Sequence, residues 1–172
     1  MAKDIDCKIS GKRFALNVDA IIMRDNQLLL IKRNKEPFKG FWSLPGGRVK
    51  LNETIVGALL REIKEETGIK IQPLDIFDEY STLDRDPRGR FVSIVYICRP
   101  LSEIKKKKTQ EAQDIKYFSL DNLPKKLGFD HKDIIKDFIR YIYTEEAEES
   151  EPPVETPRVP RPSPSIRPLF QV

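Results

Sequence analysis

Residues 47–69 read GRVKLNETIVGALLREIKEETGI. A glycine is followed at fixed intervals by Glu53, by Arg61 and Glu62, by Glu65 and Glu66, and by Gly68. Asn52 is a good N-cap, Glu53 suits a helix N-terminus, and Gly68 suits a left-handed closing residue. A helix of roughly 15 residues is therefore predicted between them. At about 100° per residue, Glu62 and Glu66 stand about 40° apart, with Glu65 about 60° to the other side of Glu62. Three carboxylates thus share one stripe. Val56, Leu59, Leu60, Ile63 and the Thr67 methyl form a second stripe, centred about 110° away and expected to pack on a sheet. Like charges at this spacing destabilise a helix by roughly 0.2–0.5 kcal/mol per pair. Arg61 relieves part of that, and a hard divalent cation relieves more. Oxygen-only ligands suit Mg²⁺ or Mn²⁺. For the short EIKEE segment alone, a solvated acidic face is an equally simple reading. The full pattern, preceded by LPGG, is far more specific.

Written as G-x(5)-E-x(7)-R-E-U-x-E-E-x-G-U, with U an aliphatic residue, the segment is the complete Nudix box. The chain resembles a Nudix hydrolase over about residues 12–143. That resemblance implies an α/β/α sandwich with a mixed, curved central sheet. It also implies metal-dependent hydrolysis of the pyrophosphate in a nucleoside diphosphate linked to another group. It assigns the metals to Glu62, Glu65 and Glu66, with the Gly46 carbonyl completing the set. Arg61 would orient a metal-binding glutamate and pair with Glu53, which is expected where a metal is held. Family members often draw the general base from a loop far downstream. Glu111 occupies such a position, Glu103 and Asp114 are its neighbours, and a box glutamate such as Glu65 is the alternative.

A second resemblance bears on substrate. LDRDPRGRFVSIVYICRP, residues 83–100, and FSLDNLPKKLGFDHKDII, residues 118–135, are similar to bacterial and archaeal ADP-ribose pyrophosphatases. Pro87 matches that group's downstream proline, although slightly further from the box than usual. Arg85, Arg88 and Arg90 offer fork-shaped donors for phosphate or ribose oxygens. Phe38, Phe41 and Trp42 offer a base-stacking group, with Trp42 the choice here. The simpler readings are a tight Asp-Pro turn with solvated arginines and aromatics that close the core. His131 is the lone histidine and is read as a helix cap in preference to a cleft residue. ADP-ribose is thus the expected substrate. A nucleotide-pool cleanser acting on non-standard triphosphates and a non-catalytic ADP-ribose-sensing module stay open beside it.

Composition bounds the rest. A chain of 172 residues with 39% hydrophobic content suits one domain. Residues 144–172 hold six of the acidic and three of the basic residues, so residues 1–143 carry 28 basic and 21 acidic residues, a net of +7. A mildly basic body suits a polyanionic small molecule and does not by itself call for nucleic acid. The Lys105–Lys108 run lacks the interleaved aromatics of single-strand binders and is read as a solvated loop. Seven of the 13 prolines fall in 144–172, so that segment is read as a disordered tail and the domain as residues 1–143. Leu169, Phe170 and Val172 give the tail apolar groups for a partner. No apolar run reaches a membrane span, and no signal peptide is evident. Cys7 and Cys98 lack disulfide or metal spacing. A cytoplasmic enzyme is expected, and a homodimer is left open.

Strand-like stretches are predicted at Phe14–Met23, Leu28–Lys32, Ile71–Thr82, Arg90–Cys98 and Ile115–Leu120, with a last helix over Asp130–Tyr143. Asp130 is its expected N-cap.

Overall fold

A computed structural model of the chain describes residues 6–9, 12–105 and 108–150. Eight strands and two helices alternate as β1 (Asp6–Ile9), β2 (Lys12–Arg24), β3 (Gln27–Arg33), β4 (Trp42–Ser43), β5 (Gly46–Arg48), α1 (Ile55–Thr67), β6 (Ile71–Tyr80), β7 (Arg90–Pro100), β8 (Ala112–Ser119) and α2 (His131–Ser150). All five predicted strands and both predicted helices are present. Strands β1, β4 and β5 are short and carry no period-two signal of their own.

The expected β2–β3 hairpin forms only at its tip, where Met23 faces Leu28 and Arg24 faces Gln27. Asp25 and Asn26 close it with φ of 49° and 32°, the backbone a two-residue turn demands. Beyond that tip the strands part. On one wing β2 runs parallel to β7, from Phe14 opposite Arg90 to Ile22 opposite Cys98, and β6 lies antiparallel outside β7. On the other wing β3 pairs antiparallel with β4 and β8. Strand β5 pairs with β2 over Asn17–Asp19, so the two glycines run along the edge where the wings separate. The result is the mixed sheet that the family resemblance implied.

Period-two alternation sends side chains to both faces of this sheet. Val18, Ala20 and Ile22 of β2 and Leu29 and Ile31 of β3 pack with Leu59 and Ile63 of α1. Ile21, Leu28 and Leu30 point the other way, onto Ile134, Ile135 and Phe138 of α2. Helix, sheet and helix form three layers, as expected.

Three details of the helices differ from the sequence reading. The N-cap of α1 is Thr54, whose hydroxyl accepts from the Gly57 N–H at 3.0 Å, not Asn52. Glu53 stands before the helix because its carboxylate is drawn to Lys50 N–H and Arg61. Val56 and Leu60 are 40% and 41% exposed, while Ala58, Leu59, Glu62, Ile63, Glu66 and Thr67 are buried. The helix seats against β2 and the glycine pair of β5, which turns part of the acidic stripe inward. Finally, α2 continues to Ser150, past the compositional boundary at Tyr143. Residues 151–172, with Leu169, Phe170 and Val172, lie outside the described residues, as do Lys106, Lys107 and the side chain of Cys7. Gly68 closes α1 as expected, with φ of 73° and its N–H on the Lys64 carbonyl. No described helix is long and apolar enough to cross a membrane.

Candidate active site

A cleft of about 360 Å³ opens where the two wings separate, floored by β2 and β5 and walled by α1 and by the β6–β7 loop. Gly46 and Gly47 make it. A Cβ on Gly46 would strike the Val18 carbonyl and the Asp19 carboxylate, and one on Gly47 would strike the Glu62 carboxylate. Only bare backbone fits between β2 and α1. The Gly46 N–H then donates to Glu66 Oε2 at 2.9 Å.

Glu62, Glu65 and Glu66 all line the cleft, as the helical spacing required. Arg61 ties this wall together. It donates to both oxygens of Glu53 at 2.8 and 2.5 Å, to Glu62 at 2.7 Å, to Glu65 at 3.4 Å and to the Arg48 carbonyl at 2.9 Å. Hydrogen bonds from Arg61 hold the Glu53 carboxyl down to about 2. Burial pushes Glu62 up despite Arg61, and pushes Glu66 well above the usual carboxylate range. A wall that buries two acids near a third is expensive to keep charged without a cation. Among the described residues no three His, Cys, Asp or Glu side chains converge into a ready metal cage. The carboxylates are turned instead to Arg61 and Gly46. Such a donor set fits Mg²⁺ or Mn²⁺, which is held by few carboxylates together with water and substrate phosphates.

Glu111 lies at the cleft mouth, before β8, with Lys35 Nζ 2.7 Å from its Oε1. Glu103 pairs with Arg24, and Asp114 with Lys116; neither lines the cleft.

The arginine loop departs from expectation. Arg85 lines the cleft but is buried, and both its Nε and Nη2 donate to Asp130 at 2.8 Å. It is a tie between the loop and the start of α2, not a free phosphate donor. That contact also corrects the role of Asp130. It sits before His131 as predicted, yet its carboxylate serves Arg85. Arg88 lines the cleft and is paired with Asp86 at 2.9 and 2.5 Å, its guanidinium 4.9 Å from the Phe91 ring centre. Burial would raise Asp86, but the hydrogen bonds from Arg88 win and hold it low. Arg90 donates to the Ser81 carbonyl and lies outside the cleft.

Trp42 is also corrected. Its indole packs edge-on against Phe118, with ring centres 4.7 Å apart, in the core beneath α2. Strand β4 turns it away from the cleft and turns Ser43 toward it. The aromatic residue that does line the cleft is Phe129, with the Arg33 guanidinium 4.6 Å from its ring centre. His131 lines the cleft, the reading set second to a helix cap. It is buried, and its Nδ1 accepts the Leu44 N–H at 2.8 Å. Burial lowers its pKa, which agrees with the neutral Nε2–H tautomer that this bond requires. Asp19, which takes the Ser93 hydroxyl, faces it at 3.9 Å.

Sequence reasoning missed Arg33, Lys35, Arg48, Lys50, Asn17, Ser43 and Phe129 as cleft residues. For Arg48 and Lys50, their place one and three positions after the glycine pair was the available signal. The Asn17 Oδ1 and Ser43 Oγ atoms are buried with no hydrogen-bond partner among the described residues.

The NUDIX domain family model matches residues 13–138. The chain is 43% identical over 169 residues to an ADP-ribose pyrophosphatase of Methanocaldococcus jannaschii, covering 82% of this chain and 98% of that protein. Among solved structures it is similar to a MutT NUDIX hydrolase from Burkholderia pseudomallei, at 30% identity and a TM-score of 0.66, over 72% of this chain and 96% of that one. It is also similar to the NUDIX domain of Shewanella oneidensis NrtR complexed with ADP ribose, at 27% identity and a TM-score of 0.61, over 74% and 88%.

Proposed function

The chain belongs to the NUDIX family and is a pyrophosphohydrolase, and from that premise we propose that it cleaves ADP-ribose to AMP and ribose 5-phosphate with Mg²⁺ or Mn²⁺. The carrying observation is the 43% likeness to an ADP-ribose pyrophosphatase across 98% of that protein, far more than the box helix. The cleft supports the reading because it combines buried carboxylates with a basic rim of Arg33, Lys35, Arg48 and Lys50.

Glu62, Glu65 and Glu66, with the Gly46 carbonyl, would hold the metal. A divalent ion supplies charge neutralisation at the phosphate oxygens and polarises water. Arg61 keeps Glu53, Glu62 and Glu65 in place, and its direct contacts are positioning ones. Glu111 takes the proton from the attacking water, with Lys35 donating to its Oε1. Arg33, which lines the cleft with its guanidinium 4.6 Å from the Phe129 ring centre, balances charge on the leaving group.

The test is a substrate panel with Mg²⁺, reading released AMP, phosphate and pyrophosphate. ADP-ribose should exceed dGTP and 8-oxo-dGTP in kcat/KM by tenfold or more, about 1.4 kcal/mol. If the triphosphates lead, the protein is a pool cleanser. Tight ADP-ribose binding without any release of AMP makes it a sensor.

A further inference from the structure

The edge of β4 away from β3 carries a short parallel ladder to the loop before α2, with Trp42 opposite Leu127. The Trp42 N–H donates to the Lys126 carbonyl at 2.9 Å, and the Gly128 N–H donates to the Trp42 carbonyl at 2.8 Å. In a regular parallel ladder the next bond runs from the Leu44 N–H to the Gly128 carbonyl. Here that carbonyl accepts the His131 N–H at 3.3 Å, as the chain turns into α2. The Leu44 N–H goes to His131 Nδ1 instead, at 2.8 Å. A side chain thus fills the place of a main-chain acceptor. We propose that His131 is a positioning residue for the glycine pair: its imidazole locks the segment Leu44–Gly46 and so sets where the Gly46 carbonyl stands. The inference rests on the proposed part of that carbonyl in holding the metal, and it adds a residue to that site.

Three further observations carry it. First, successive residues of the segment are held from three different elements. Leu44 N–H is held by His131 of α2, the Pro45 carbonyl by the Ala20 N–H of β2 at 2.9 Å, and Gly46 N–H by Glu66 of α1 at 2.9 Å. Second, both ring nitrogens face neighbours of Gly46. Nδ1 bonds the residue two positions before it. Nε2 stands 3.9 Å from Oδ2 of Asp19, which lies opposite Gly46 in the β2–β5 register and takes the Ser93 hydroxyl. Third, the acceptor is itself fixed. His131 is buried, with the Phe129 ring centre 5.4 Å from its own. Its neighbour Asp130 anchors the start of α2 to the β6–β7 loop through Arg85. Loss of the imidazole would leave a buried N–H without its acceptor and free the segment at its leading end. Groups that orient metal ligands from behind commonly set metal affinity by tenfold or more.

The experiment measures Mn²⁺ binding to the full chain from the electron paramagnetic resonance signal of free Mn²⁺. His131→Asn carries its amide oxygen near the place of Nδ1, whereas His131→Gln carries its amide near the place of Nε2. The Asn variant should keep Mn²⁺ affinity within about twofold of wild type, and the Gln variant should lose about tenfold or more. A role confined to folding would lower the melting temperature of both variants and leave Mn²⁺ affinity of the folded protein unchanged, and that result overturns the proposal. Equal loss of affinity in both variants overturns it too. Should His131→Gln not fold, His131→Asn decides: wild-type Mn²⁺ affinity supports the lock, and a tenfold loss in the folded variant overturns it. Failure of the wild type to bind Mn²⁺ would defeat the metal reading and leave the lock to be read from hydrogen exchange of the Leu44 amide in the metal-free chain. Exchange about tenfold faster in His131→Gln than in His131→Asn supports it, and equal exchange overturns it.

Discussion

The two walls of the cleft handle charge in opposite ways. On the α1 wall, Glu62, Glu65 and Glu66 crowd together, Arg61 donating to the first two as well as to Glu53, and the Gly46 N–H donating to Glu66. On the loop wall, each cleft arginine has its own nearby acceptor: Asp130 for Arg85 and Asp86 for Arg88. The first wall holds unbalanced charge that an added cation relieves. The second is balanced inside the fold and serves as architecture. Residues of the same charge density therefore have different work, and the partner, not the residue type, decides which.

The largest effect should come from breaking the balanced wall. Arg85→Ala leaves Asp130 without its bidentate partner, and removing one member of a buried pair costs roughly 3–5 kcal/mol. A urea melt should show that loss. A change under 1 kcal/mol would mean that the loop is held by something else. On the unbalanced wall, Glu66→Gln removes charge and should lower kcat by about a hundredfold or more. It should not lower the melting temperature of the metal-free protein, because it relieves a buried, crowded carboxylate. Near-wild-type turnover at saturating Mg²⁺ would sink the metal assignment.

Acid sharpens the comparison further. Glu53 has a depressed pKa in the fold, so its contribution is complete above the ordinary carboxylate pKa. It is lost as pH falls toward about 2. The stability difference between wild type and Glu53→Gln should shrink steadily between pH 5 and pH 2.5 in denaturant titrations. A constant difference would show that Arg61 does not hold Glu53 charged. The smallest effect belongs to the outer face of α1. Leu60→Lys, at an exposed position touching neither wall, should shift stability by no more than about 0.5 kcal/mol. A larger loss would reveal a partner on that face.

How far the sequence could be read follows from the range of the interactions involved. The three glutamates share a face because a helix sets them there within two turns, and Gly68 ends that helix because its own backbone can turn left-handed. Thr54 replaced Asn52 as the cap because Glu53 was claimed by Arg61, eight residues on and still local, yet invisible to propensity alone. The two central strands were legible from alternation in β2 and from the continuous apolar run of β3, whose Leu28, Leu29, Leu30 and Ile31 are all buried.

By itself, then, the sequence determined the box helix, its acidic stripe, the five longer strands of the sheet and the family. Only the tertiary structure decided which aromatic residue faces the cleft, since Trp42 and Ser43 exchange faces with the direction of a two-residue strand. It alone decided that Arg85 is a tie, because Asp130 lies 45 residues away in the chain. It alone made His131 a buried acceptor for the Leu44 N–H, 87 residues distant. Backbone periodicity fixes what neighbours in sequence share. Charge pairs and ring contacts across the cleft depend on how the two wings of the sheet separate, and that separation is written in no single segment.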